Sequence, residues 1–346
     1  MNTAINVHFF TKLSDIISDW AALYQAAPQS QFSSPQWHKV VLAFLAQKQI
    51  TKRTHQLVYF KASAHIKTSE QLAIGFFYIK TILKKQTLVF GHLAGPSDYY
   101  NFVVNHAATA EFLKNTIMQI AVAHKCTNLQ FAHIKQQSIL FSALSMLPNF
   151  SCNSLKCVAI ALPNSYAEQL QTRTKNAKQN LRTAHNRLLK SELKLDFTFL
   201  NQNNTDTIDF SELKAIYKQR NVHKKQPLHL KSILYKWVDY GFQKELDLFD
   251  LQQIKKTNFV LGIVRIDTKI AAYFFGLPFG DTIEINRVSI NGAFSTFSPG
   301  IILLDEFIKN SFSNNFKYID LTVGDEKYKY DLGGQTHTIF NCNCTL

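Results

Sequence analysis

The chain has 346 residues, 46% of them hydrophobic and including 28 Phe and 13 Tyr, which is enough for two domains with a core each. Only 12 Gly and 8 Pro argue against a long disordered linker, and no apolar run reaches the roughly 18 residues of a membrane-crossing helix. The 38 Lys and Arg against 24 Asp and Glu leave a net charge of +14. Such a surface favours polyanions: nucleic acid, nucleotide-bearing carriers or an anionic membrane.

The opening "MNTAINVHFFTKLSD" lacks a basic stretch followed by an apolar one, so no signal peptide is expected and the expected location is the cytoplasm. Cys126, Cys152, Cys157, Cys342 and Cys344 form no Cys-x-x-Cys pair. They read as small apolar strand residues in a reducing compartment, with no metal implied.

"FSSPQWHKVVLAFL" starts a helix, with Ser34 as cap and Pro35 in the first turn. "LAIGFFYIK" and "TLVFGHLAG" flank Lys84-Lys85 as neighbouring strands. After "GPSDYYNFVV" come a helix, "AEFLKNTIMQIAVAHK", and a strand, "NLQFAHI". "KCVAIALP" begins a fresh strand, which places a boundary between residues 1–153 and 154–346.

From 165 to 192 the chain reads as one long basic helix. Ala167, Leu170, Thr174, Ala177, Leu181, Ala184 and Leu188 step by three and four. Arg173, Lys175, Lys178, Arg182, Arg187 and Lys190 face only Glu168 in that stretch. Those charges are either a solvated face or a surface for a phosphate-bearing partner; Lys178 and Arg182, one turn apart, suit a shared phosphate. "LDLFDLQ", "FVLGIVRID", "KIAAYFFGLPF" and "TIEINRVSI" read as an antiparallel meander with turns at Asp267-Thr268 and Gly280-Asp281. The helix "SPGIILLDEFIKN" and the strand "KYIDLTV" follow. Glu111–Asn115 echoes Glu306–Asn310 within a repeated element order, which points to an internal duplication.

The Ser298-Pro299-Gly300 start is unusual. Ser298 is expected to cap and Pro299 fits the first turn, whereas a helical glycine costs about 1 kcal/mol. The amides of Gly300, Ile301 and Ile302 are then expected to face an anion at the positive end of the helix dipole. Arg287, in an otherwise apolar strand, needs a phosphate or a carboxylate as partner.

"TKNAKQNLRTAHNRLLKSELKLDF", the Ser-Pro-Gly helix and "YIDLTVGDEKYKYDLGG", with "FSSPQW" and "GPSDYY" earlier, together resemble the FemAB-like branch of the GNAT acyltransferases. More narrowly they resemble the BioF2-like (CelD-like) acetyltransferase group. The resemblance implies an α/β (mixed α+β) chain of tandem GNAT-like domains, each a mostly antiparallel mixed sheet flanked by helices. It implies transfer of an acyl group from acyl-CoA or acyl carrier protein to an amine or hydroxyl of a cell-envelope, polysaccharide or sugar-nucleotide precursor, with no permanently bound cofactor. The donor would lie at Ser298, Gly300, Ile301 and Arg287, between "TIEINRVSI" and "KYIDLTV". The family's usual Arg/Gln-x-x-Gly-x-Gly/Ala loop is replaced here by one glycine.

By the same resemblance Lys329 stabilises the oxyanion, Asp325 is a general base or an anchor for the acceptor amine, and Tyr328 donates a proton. Asp98 and Tyr99 fall on the acceptor side, with Lys178, Arg182 and Asp320 as further substrate contacts. Asp320 has an inward structural hydrogen bond as its competing reading, Trp37 reads as core, and Tyr273, Phe274 and Phe275 fit an acyl tunnel or a core equally. His38, His92, His223 and His229 read as structural. Two alternatives stay open: an aminoacyl-tRNA-dependent Fem-type transferase, motivated by the basic helix, and a non-catalytic module that binds an acyl carrier.

Overall fold

A computed structural model describes residues 4–47, 55–66, 69–91, 97–204, 210–222, 254–314 and 316–346. The readings of "LDLFDLQ", His92, His223, His229 and the Gly95-Pro96 of "GPSDYY" lie outside these residues. The described chain divides into two compact units, one holding residues 4–155 and Thr338–Leu346, the other running from Lys156 to His337. Among the described residues no helix is long and apolar enough to cross a membrane.

The first unit contains strands β1 (Asn6–Phe10), β2 (His55–Ile66), β3 (Ser69–Ile82), β4 (Lys85–Phe90), the short β5 (Val103–Val104) and β6 (Cys126–Lys135). Its helices are α1 (Ile17–Ala26), α2 (Pro35–Gln47), α3 (Ala110–Ala123) and α4 (Ile139–Ser145). Local chemistry sets the ends. Ser34, Thr109 and Ser138 each accept a hydrogen bond from the amide three residues on, at 3.1 Å, as N-caps do. Leu83 and Lys84 both take positive φ in the tight turn joining β3 to β4. The core is aromatic: Phe60, Phe77, Phe90, Phe102 and Phe131 are all buried, and Trp37 is buried with them. Its indole N–H donates to Ser97 at 2.8 Å.

The second unit holds β8 (Leu195–Asn201), β9 (Val260–Ile266), β10 (Lys269–Phe279), β11 (Thr282–Ile290) and β12 (Tyr318–Val323). Its helices are α5 (Tyr166–Gln171), α6 (Lys175–Lys190), α7 (Phe210–Val222), α8 (Pro299–Ser311) and α9 (Lys327–Asp331). Two strands lie where the chain passes from one unit to the other, β7 (Ser151–Ala161) and β13 (Gln335–Thr345). The predicted turns at Asp267-Thr268 and Gly280 take positive φ, as tight β-turns require. Ala184 and Leu188 of α6 and Ile302, Leu303, Phe307 and Ile308 of α8 pack on Val264, Phe274, Ile285, Ile319 and Leu321 of the sheet.

The two units share a pattern. In the first, the order β1-β2-β3-β4-β6-β13 is antiparallel throughout except for the parallel pair β4/β6, with α3 as crossover. In the second, β8-β9-β10-β11-β12-β7 is antiparallel except for the parallel pair β11/β12, with α8 as crossover. The two echoing "EF-x-KN" segments are the crossover helices. The sixth strand of the second unit comes from before its other strands, and that of the first unit is the last strand of the chain.

One predicted element is corrected. The long helix 165–192 is two helices, broken at 172–174. Thr174 turns to extended backbone and caps α6 by accepting from the Ala177 amide at 3.1 Å. Arg173 turns inward, where its guanidinium meets Asp305 of α8 at 2.7 Å, both side chains 1% exposed. It is therefore not part of a basic face.

Candidate functional site

The β11/β12 ladder is short. Thr282, Ile283 and Glu284 pair with Tyr318, Ile319 and Asp320, and there the pairing stops, although β11 runs on to Ile290 and β12 to Val323. Two bulges fall at that level. Asn286 is the extra residue of β11 against β10, since Phe275 pairs with Arg287 and Gly276 with Ile285. On β12, Leu321 and Thr322 stand against one residue of β7, and Thr322 takes φ 53, a costly conformation for a β-branched residue. Its amide donates to Asp320 Oδ1 at 2.8 Å and its hydroxyl to the Ile285 carbonyl at 3.2 Å. The Thr322 side chain thus takes over where backbone pairing ends. In the first unit the equivalent β4/β6 pair keeps its ladder from Gln86 to Phe90, the end of β4.

Helix α8 starts beside this parting, and its start differs from the expectation. Ser298 makes no side-chain cap bond and sits in the left-handed region at φ 53. The Ile301 and Ile302 amides both donate to the Ser298 carbonyl, at 3.1 and 3.3 Å, so of the three expected anion ligands only the Gly300 amide keeps no backbone partner among the described residues. Gly300 serves packing: a Cβ there would lie 3.0 Å from Ile290 Cδ1 and 3.7 Å from Val288 Cγ1 on β11. Arg187 of α6 donates to the Thr296 carbonyl at 3.0 Å, which holds α6 against the loop leading into α8. Lys178 and Arg182 lie exposed on the same helix.

On the sheet face away from α6 and α8, alternation places Tyr273 and Phe275 of β10, Glu284, Arg287 and Ser289 of β11 and Asp320 of β12. Tyr273 and Phe275 are fully buried there, and Phe274 belongs to the core of the opposite face, so these three aromatics pack the sheet rather than line a tunnel. The Arg287 guanidinium lies 4.0 Å from the Tyr217 ring of α7, and its Nη1 is buried without a hydrogen-bond partner among the described residues. The partner that Arg287 needed is first of all an aromatic ring.

Asp320 is 5% exposed, and its Oδ1 lies 3.3 Å from His337 Nε2. Its inward hydrogen bond is real and comes from the Thr322 amide. His337, at the start of β13, did not stand out in the sequence. The available signal was its alternating position after Gly333-Gly334, which aims it at the β12 face.

The "GDEKYK" segment follows β12 and is held to it by Lys329. The Lys329 ammonium, 2% exposed, donates to the carbonyls of Thr322, Val323 and Gly324 at 3.2, 2.9 and 3.1 Å, and pairs with Glu326 at 3.1 Å. Three N–H protons are thereby committed, and Lys329 ties off the end of β12. Asp325 is exposed and pairs with Lys156 at 3.3 Å. Tyr328 is half-buried against the α6/α8 core.

Asp98 and Tyr99 lie in the first unit. There a cleft of about 350 Å³ is lined by Tyr99, Tyr100, Asn101, Lys135, Gln29 and Ser138 among others. The Lys135 ammonium sits 3.9 Å from the centre of the Tyr99 ring. Burial pushes the Tyr100 phenol above its ordinary range, and the Asp98 carboxylate beside it adds to that.

Residues 175–330 match the family model described as an acetyltransferase (GNAT) domain. This segment is similar to a GNAT domain. Among solved structures the chain is similar to FemX, at 11% identity and a TM-score of 0.56 over 98% of this chain and 97% of that one. It is similar also to the C-terminal domain of a putative lysylphosphatidylglycerol synthetase from Agrobacterium fabrum, at 10% identity, TM-score 0.55, over 96% and 92% of the two chains. A conserved protein of unknown function from Bacteroides thetaiotaomicron matches at 11% identity, TM-score 0.51, over 99% and 100%. At these identities the likeness is one of fold. A comparison with curated proteins returned no match. The FemAB-like GNAT resemblance read from the sequence therefore holds for the fold.

Proposed function

We propose that the chain is an acyltransferase whose GNAT unit receives an acyl thioester, as acyl-CoA or acyl carrier protein, in the parting of β11 and β12. The acyl group goes to an amine or hydroxyl of a cell-envelope, polysaccharide or sugar-nucleotide precursor. One observation carries the reading: a parallel ladder that stops at Glu284 and Asp320 while both strands continue. Backbone amides and carbonyls that turn into such a gap lack partners and must find them elsewhere. The pantetheine arm shared by both donors is an extended chain with two amides, which suits two facing strand edges. Ser298 and Gly300, at the positive end of the α8 dipole, are the candidate contacts for the donor's phosphates; the Ile301 amide is already engaged by the Ser298 carbonyl.

The test is calorimetric titration with CoA and acetyl-CoA, on the natural chain and on Ser298→Asp. Aspartate tolerates left-handed backbone and favours a helix N-terminus, so the fold should persist while a bound phosphate is repelled. Binding at one site, weakened at least tenfold in the variant, is the expected result. Equal affinity in both chains would remove the phosphates from α8, and no binding at all would remove CoA as donor.

A second reading is favoured by the exposed Lys175, Lys178, Arg182 and Lys190 of α6. A polyanionic carrier such as charged tRNA suits that face, and its binding should weaken steeply as salt rises.

A further inference from the structure

We infer that His337 is the general base of the acyl transfer, oriented by Asp320; the inference rests on the acyltransferase reading above. Asp320 is the last residue of the parallel ladder, so its carboxylate stands where β11 and β12 part. It is a poor base itself: it is 5% exposed, and its Oδ1 already accepts the Thr322 amide at 2.8 Å and faces His337 Nε2 at 3.3 Å. A carboxylate that accepts from Nε2 leaves the lone pair of a neutral imidazole on Nδ1. The His337 side chain is 28% exposed against 7% for that of Asp320, so the imidazole, not the carboxylate, reaches the outside. The backbone that fixes the carboxylate is the strained Thr322 bulge, and Lys329 pins that bulge through the Thr322 carbonyl. Glu284 is buried beside Asp320 in the ladder, a second acid on the same face.

In the step assigned to this pair, the acceptor nitrogen or oxygen attacks the thioester carbonyl while Nδ1 takes its proton. The new C–N or C–O bond forms, the C–S bond breaks, and the imidazolium returns the proton to the leaving thiolate. No oxidant or metal enters the balance. Asp320 holds the ring and its tautomer, which makes it a positioning residue.

Two measurements test this on the whole chain. Long-range 1H–15N NMR of histidine-labelled protein, with His337→Gln for assignment, should show His337 protonated on Nε2, and Asp320→Asn should abolish that preference. Thiol release from acetyl-CoA, with glucosamine and ethanolamine as amine probes, should fall 10²–10⁴-fold in kcat for His337→Ala, with KM for acetyl-CoA little changed. Added imidazole should restore part of the rate, which a structural role would not allow. An Nδ1–H tautomer overturns the inference, as does a His337→Ala kcat within threefold of the natural chain. Where neither probe turns over, the tautomer alone decides, and the CoA titration reports separately on the donor site.

Discussion

The Arg173–Asp305 pair offers a quantitative test of what holds the second unit together. Asp305 Oδ1 lies 2.7 Å from Arg173 Nη1 and also accepts the Tyr166 hydroxyl at 2.7 Å, while Lys309 reaches Oδ2 at 3.3 Å. Arg173 Nε and Nη2 donate to Gln169 Oε1 at 3.0 and 2.7 Å, and the Gln169 amide donates to the Leu332 carbonyl at 2.6 Å. Burial pushes the Tyr166 phenol above its ordinary range, and its bond to Asp305 adds to that. Asp305→Ala strands a guanidinium that is 1% exposed with one neutral acceptor. A buried ion left unpaired costs about 3–5 kcal/mol. With a urea m-value of about 2 kcal/mol/M, the midpoint followed by circular dichroism should fall by about 1.5–2.5 M. Arg173→Met combined with Asp305→Leu removes both charges and should recover all but about 1–2 kcal/mol. A single variant that costs under about 1 kcal/mol, or a double variant that costs the sum of the singles, refutes the reasoning.

Two further predictions concern stability. Burial holds the His38 pKa down at about 3, against 6.5 for the free side chain. Between those values the unfolded chain binds a proton that the folded chain does not, so this contribution is full above pH 6.5 and is lost as pH falls, by up to about 1.4 kcal/mol per unit. His38→Gln, which can still pair with Tyr59, should flatten the fall of Tm between pH 7 and pH 5; an unchanged slope would exclude His38 as its source. Lys329→Met should cost about 2–4 kcal/mol in urea unfolding, because three carbonyls and Glu326 lose their common partner. A variant that unfolds like the natural chain but has lost turnover would return Lys329 to the oxyanion role.

Features governed by residues close in the chain were legible before the structure. The Ser34 cap, the turns at Lys84, Asp267 and Gly280 and the alternation of β9 to β11 each depend on a few neighbouring residues. What escaped depends on distant partners. Thr174 breaks an otherwise sound heptad stripe because Arg173 is drawn to Asp305, 132 positions along the chain by residue number. Lys329 reads as reactive within "GDEKYK" until the carbonyls of Thr322 to Gly324 close around it. His337 has no motif; it gains a role only when β13 brings it to Asp320.

The two units put one pattern to different use. Both are built on one pattern, a run of antiparallel strands, a crossover helix and one parallel pair. In the first the parallel ladder continues to Phe90 at the end of β4, so the backbone groups of that stretch pair with each other. In the second, two bulges and a left-handed threonine end the ladder after three residues. That conformation costs on the order of 1–3 kcal/mol at Thr322, and the hydrogen bonds to Asp320 and Ile285 and the Lys329 clamp hold it in place. Three separate contacts thus keep strain at one position where a ladder could have continued, and the proposed donor site lies there. The Ser298-Pro299-Gly300 start fits the same account. Glycine lets α8 sit down on Val288 and Ile290, the part of β11 that has left its parallel partner.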